Sequence, residues 1–165
     1  MDWLNLYAKK IMKKVNINNF KKTLSKFSTG ITIVCVKNNN EVYGKTVNSF
    51  NSLSLNPPMV LFSLGNYSSS ISQFSKTKFL SINILSNKQK KLSDNFASSS
   101  PKLENVNFIN GKNKTPIISD CIANLECELT DKIRKGDHII FICKILELQS
   151  NDKLKPLIYF NSKYF

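Results

Sequence analysis

Histidine and arginine are almost missing from this chain of 165 residues: His138 is the only histidine and Arg134 the only arginine. A Ser–His–Asp triad would therefore have to be built on His138. Its sequence neighbour Asp137 should point to the opposite face of a strand. No serine stands in a GxSxG setting. The five glycines form neither a Walker loop nor a GxGxxG turn. The four cysteines, Cys35, Cys121, Cys127 and Cys143, contain no CxxC pair, which argues against zinc. Three of them lie in the apolar runs ITIVCV, NLECEL and IIFICKI, as small buried side chains of a reducing compartment would. The eleven acids are scattered singly, without paired carboxylates for acid–base work. No apolar run approaches the roughly 20 residues of a transmembrane helix. The N-terminus also lacks the uninterrupted apolar region and cleavage site of a secretory signal. These absences predict a cytoplasmic, single-domain protein with no membrane contact. Any enzymatic chemistry would then be carried by a bound cofactor.

Lysine is what the chain has in excess. The formal net charge is +13, and 23 of the 24 basic residues are lysine. Such a balance favours anionic partners, although a general bias toward Asn, Lys and Ile would produce the same count. Base-specific readout leans on arginine forks, which lysine does not reproduce. The aromatics Phe62, Phe79 and Phe141 sit in core-like patterns and not in an exposed stacking array. A basic nucleic-acid-binding barrel, with a steep salt dependence of affinity, is thus the weakest reading, and no specific nucleic acid is expected.

Hydrophobic residues make up 41% of the chain, enough for a core. Residues 1–15 place Trp3, Tyr7, Ile11 and Val15 on one face between lysines, which predicts an amphipathic N-terminal helix ahead of a domain over 16–165. A second helix is expected over Ile17–Ser28, stopped by Gly30. Strands follow at Ile31–Lys37, Val42–Ser54, Met59–Leu64, Phe79–Leu85, Ile122–Leu129, His138–Leu148 and Leu157–Phe160, about seven in all. Short helices should start at Ser70 and Ser86, each opening an S-x-x-Q capping box. Either terminus offers N–H groups to an anion, and Lys88, Lys90 and Lys91 add charge at the second. The fold class is mainly β with peripheral helices, a β-barrel with α additions.

Two stretches invite a functional reading. Gly44–Pro58 should bury one face as a strand yet offers Thr46, Asn48, Ser49, Ser52 and Ser54, a density of small donors and acceptors suited to a flat polar ligand. An exposed, decorated edge strand would look the same. Gly136-Asp137-His138 stands directly before an apolar strand, where the glycine permits a tight turn and the aspartate fixes the imidazole.

With these residues the chain resembles the flavin reductase-like family. The matching pieces run in order from Phe27-Ser-Thr-Gly-Ile-Thr-Ile-Val34 through Gly44–Pro58, Val60–Leu64, Phe79-Leu-Ser-Ile-Asn-Ile-Leu85, Leu92–Ala97, Ala123–Cys127 and Gly136–His138 to Pro156–Phe160. The resemblance implies a homodimeric, FMN-binding split β-barrel of Greek-key topology that takes FMN or FAD, with NADH or NADPH as co-substrate. It implies that Thr46, Val47, Asn48, Ser49, Ser52 and Ser54 line the isoalloxazine and ribityl chain. Asn83, Ser86 and Gln89 would lie near the flavin phosphate. His138 and Tyr164 would meet the nicotinamide. The activity implied is an NAD(P)H:flavin oxidoreductase that supplies reduced flavin to a flavin-dependent monooxygenase. The alternative on the same fold is a flavoredoxin-type electron carrier without productive NAD(P)H binding.

Overall fold

A computed structural model describes residues 14–165. Residues 1–13 of the expected N-terminal helix lie outside the described residues, and Lys14 and Val15 are not helical. The first helix, α1, spans Ile17–Leu24. Asn16 enters it in an extended conformation and accepts from the Asn19 N–H at 2.9 Å, a side-chain cap. The helix ends short of the expected Ser28. The N–H groups of Lys26 and Phe27 turn back to the carbonyls of Thr23 and Leu24, tightening the last turn. Gly30 lies instead in the two-residue strand β1 (Thr29–Gly30).

Twelve strands are present among the described residues, more than the apolar runs indicate. They continue with β2 (Thr32–Asn38), β3 (Glu41–Val47), β4 (Asn51–Leu55) and β5 (Pro58–Gly65). After the helix α2 (Ile71–Lys76) come β6 (Phe79–Ile84), a single 3-10 turn at Asn87–Gln89 and the helix α3 (Lys90–Ala97). The chain finishes with β7 (Phe108–Asn110), β8 (Pro116–Ile118), β9 (Ala123–Lys135), β10 (His138–Ser150), β11 (Ile158–Phe160) and β12 (Lys163–Tyr164). Seven strands form one antiparallel sheet in the order β3-β2-β6-β9-β10-β5-β4. The ribbons β7-β8 and β1-β11-β12 sit beside it.

The expected single strand Val42–Ser54 is two strands joined by a bend at Asn48–Phe50. The cause is Ser49. Its hydroxyl accepts from the Ser63 N–H at 2.9 Å and donates to the Ser63 carbonyl at 3.0 Å. One side chain thus imitates a ladder pair and draws the end of β3 toward β5. The sheet curls around its core, and its two terminal strands, β3 and β4, share no ladder. β9 runs past the expected Leu129 to Lys135, because the polar stretch Asp131–Lys135 pairs with His138–Ile142 of β10.

Inside the barrel, Phe62 and Phe141 stack with ring centres 5.1 Å apart, and Phe74 from α2 meets both edge-on. Val34, Leu80, Ile82 and Cys127 are among the side chains packed with them. A second cluster lies outside the sheet, where Ile33, Cys35, Leu85 and Phe96 are fully buried. β2 is covered on both faces, which is why its run is continuously apolar. Helix α3 approaches β3 at Gly44, where a Cβ would stand 2.4 Å from the Phe96 ring. All four cysteines are free and buried. Burial raises the Cys121 thiol to about 11 and Cys143 to about 12, and pushes Cys35 and Cys127 upward as well.

Candidate active site

β3 is a terminal strand of the sheet, so its outer backbone edge has no ladder partner. Beside its last residues opens a cleft of about 400 Å³, with Lys45, Thr46, Val47, Asn48 and Ser49 on one wall. Ser63, Gly65, Ser68 and His138 form the facing wall, and Ala97 of α3 lies at the side. The strands dictate this arrangement. β5 alternates Val60, Phe62 and Leu64 into the core, which turns Ser63 and Gly65 the other way. His138, the first residue of β10, is the ladder partner of Gly65.

Each side chain in the cleft is held differently. Thr46 Oγ1 donates to the Ser93 carbonyl at 2.7 Å, tying β3 to α3. Lys45 Nζ donates to the Ser98 carbonyl, and partial burial lowers its pKa from the usual lysine value. Val47 is turned into the barrel core, leaving its backbone toward the cleft. Asn48 is exposed and its amide carries no hydrogen bond among the described residues.

His138 is clamped from behind. Gly136 adopts φ +57°, a left-handed turn that brings the Asp137 carboxylate onto the imidazole, with Oδ1 to Nδ1 at 2.7 Å. Asp137 does not point to the opposite face of the strand, as its adjacency to His138 suggests, because it lies in the turn and not in the strand. The hydrogen bond from His138 holds the Asp137 carboxyl below its ordinary value. Asn66 donates its N–H to the Asp137 carbonyl at 2.8 Å and Nδ2 to the Gly136 carbonyl at 3.3 Å, strapping the two turns together. His138 Nε2 has no hydrogen-bond partner among the described residues, so no serine completes a triad.

Of the residues singled out from sequence, Thr46, Val47, Asn48, Ser49 and His138 meet in this cleft. Ser52 and Ser54 lie further along, on the edge strand β4 opposite Val60 and Met59, outside the cleft lining. Asn83, Ser86 and Gln89 are elsewhere. Asn83 is fully buried: Nδ2 donates to the Ile33 carbonyl and to Ser81 Oγ, and Oδ1 accepts from Ile118 N–H and Asn124 Nδ2. Gln89 Oε1 accepts from the Ser86 N–H at 2.9 Å, closing the capping box, and Nε2 donates to the Ser119 carbonyl. The Ser86 hydroxyl donates to the Asp120 carbonyl. All three side chains are consumed by the protein itself. Tyr164 Oη pairs with Ser93 Oγ at 2.9 Å, and Lys90 Nζ stands 5.7 Å from its ring centre. It therefore meets α3 at the same residue as Thr46 does, but outside the cleft lining.

Sequence reasoning missed Ser63, Gly65 and Ser68. The two-residue alternation of β5 marks the first two as outward-facing. Ser68 lies in a turn and carries no such signal. Its Oγ is buried without a partner, as is Asn66 Oδ1. An unpaired hydroxyl, a free carboxamide, a free imidazole nitrogen and an open strand edge fit a flat heterocycle with donors and acceptors on its rim.

Together the curled sheet and the polar cleft beside its open edge define a split-barrel protein built to bind a flat cofactor. The chain belongs to the flavin reductase like domain family, whose profile matches residues 24–165. A protein of Rhizobium meliloti named probable flavin reductase is 35% identical over 141 residues, 84% of this chain and 45% of its own length. The FMN reductase (NADH) SmoA of Agrobacterium fabrum is 32% identical over 137 residues, covering 83% of this chain and 79% of that one. The solved structure of the flavin reductase PheA2 in its native state superposes with a TM-score of 0.86 at 34% identity, over 92% of this chain and 97% of that one.

Proposed function

We propose that this chain is an NAD(P)H:flavin oxidoreductase, passing hydride from a reduced nicotinamide to FMN or FAD. The observation that carries this reading is the single cleft in which the open edge of β3 faces His138. Bound flavin supplies the hydride acceptor, and the nicotinamide hydride with one solvent proton completes the two-electron reduction. The side chains then need only bind and orient. The outer backbone edge along Thr46–Ser49 and the Asn48 amide would hold the ring's polar rim. Lys45 would offset the negative charge that a reduced flavin carries. Asp137 fixes the imidazole through Nδ1 and leaves Nε2 for the dinucleotide. Ser52 and Ser54 would follow the flavin's tail along β4. Asn83, Ser86 and Gln89 shape the segment that carries Lys88, Lys90 and Lys91, whose charge would face the phosphate. Tyr164 would act on the dinucleotide from the α3 side.

A flavin-dependent monooxygenase as recipient of the reduced flavin is part of the same proposal. It is supported by relatives named as reductase components of monooxygenases. So is a cytoplasmic homodimer, supported by the exposed Leu53, Leu55, Phe27 and Phe165, which a second copy would cover. Among the described residues no helix is long and apolar enough to cross a membrane. The test is anaerobic: protein with FMN, then NADH or NADPH, following flavin absorbance at about 450 nm. Bleaching that depends on the protein is expected. Bound flavin that stays oxidised with both dinucleotides would overturn the reductase in favour of the electron carrier.

A further inference from the structure

A pocket of about 260 Å³ lies at the far end of β10 from His138, roughly 30 Å away by strand rise. Its lining includes the apolar residues Ile109, Ile117 and Leu148. Its floor is Glu126, which is only 3% exposed. The loop Gly111–Thr115 wraps this carboxylate: Oε1 accepts from the Asn113 N–H at 2.8 Å and from Thr115 Oγ1 at 2.6 Å. Gly111 is required there, because a Cβ would stand 2.5 Å from Oε1.

Two donors converge on one oxygen, which leaves the other oxygen of the carboxylate to account for. The second oxygen is what a carboxylate adds. Oε2 accepts no hydrogen bond among the described residues. It is not among the side-chain atoms sealed from solvent without a partner, so it opens to the pocket that Glu126 lines. The other polar groups of the lining do not neutralise it. Lys112 is engaged with Glu147 at 2.6 Å. Gln149 spends Nε2 on Asn124 Oδ1 and keeps its acceptor oxygen free. Burial alone would raise the Glu126 carboxyl. The donors of Thr115 and Asn113, with the backbone of the same loop close by, outweigh that and hold it below its ordinary value, so it is charged at neutral pH. Free acceptors, a negative charge with no ion-pair partner among the described residues and apolar residues in the lining together ask for a donor-only, positively charged group on a small apolar body. In a chain of net charge +13 this local polarity runs against the whole.

We infer that the pocket over Glu126 binds a small organic cation, a primary ammonium or amidinium compound, at a site separate from the cleft of β3. No group of three or more metal-ligating side chains exists among the described residues, so the carboxylate belongs to no such cluster.

The probe is n-butylammonium chloride, titrated into the full chain and followed by amide nitrogen–proton correlation spectra, with 1-butanol and sodium chloride as controls. Saturable shifts confined to residues around 109–112, 124–126 and 147–149 are expected with the ammonium compound alone. Glu126→Gln retains an acceptor for Asn113 and Thr115 but replaces Oε2 by a donor, and should weaken binding at least tenfold. Ile109→Lys, at an exposed wall position, should abolish it by supplying an ammonium from the chain itself, and decides the matter if Glu126→Gln does not fold. Shifts matched by butanol, unchanged affinity in both variants, or no saturation would overturn the assignment. So would shifts that accompany dissociation of an oligomer, which would give the pocket to a lysine of a second copy.

Discussion

Two polar clusters built from the same residue types behave in opposite ways. Around Asn83, the side chains of Ser81, Asn83 and Asn124 are buried and almost every donor and acceptor is spent on the protein. Along Lys45–Ser49 the backbone edge, the Asn48 amide and the facing His138 Nε2 are left without partners. The first cluster ties β2, β6, β8 and β9 together across the outer face of the sheet. The second lies where the ladder stops. Asparagine and serine therefore mark a binding surface only where the sheet has run out of partners for them.

Of the two clusters, the buried one around Asn83 is the more sensitive to substitution. Asn83→Leu keeps the volume but strands the Ile33 carbonyl, the Ile118 N–H and the Asn124 amide in the core, and should cost about 3 kcal/mol or more of stability in urea unfolding. Flavin reduction by the fraction still folded should be unchanged, and a selective loss of activity would move Asn83 into the site. On the other side, His138→Ala should leave the fold intact and lower kcat/KM for NAD(P)H at least tenfold, about 1.4 kcal/mol, with flavin affinity nearly unaffected. Equal losses in both would remove its assigned role. Asn48→Ala should weaken flavin binding about fivefold, near 1 kcal/mol, measured by fluorescence quenching, with no change in unfolding midpoint. The smallest effect concerns pH. The Glu126 carboxyl is depressed in the folded chain, so its stabilisation is complete above the ordinary carboxylate range and is lost as pH falls through the depressed value. The gap in urea midpoint between the wild type and Glu126→Gln should close on acidification, and a gap that persists would place the effect in packing.

What sequence could and could not show follows from the same contrast. The barrel strands are legible because β2, β5, β6 and the buried halves of β9 and β10 carry apolar runs or clean alternation. The polar stretch at Thr46–Ser49 is legible because a buried strand should not look that way. The fate of Asn83 is not, since its partners come from residues 50, 35 and 41 positions away. The two S-x-x-Q patterns make the point locally. Ser86 enters its helix extended, at ψ 158°, and its box closes; Ser70 enters at ψ 0° and its side chain caps nothing. A cap needs the extended backbone, and the preceding turn decides that. Asp137 and His138 met for a similar reason, a glycine turn placed before the strand.

The four interior thiols bear on survival. Reduced flavin that meets oxygen yields hydrogen peroxide, so the reaction proposed for this chain would run in its presence. Peroxide attacks the thiolate, and here burial suppresses ionisation at every cysteine, with Cys121 at about 11 and Cys143 at about 12. Sulfenic acid formation is then disfavoured at all four for as long as the barrel stays closed, and opening of the barrel becomes the step that exposes them.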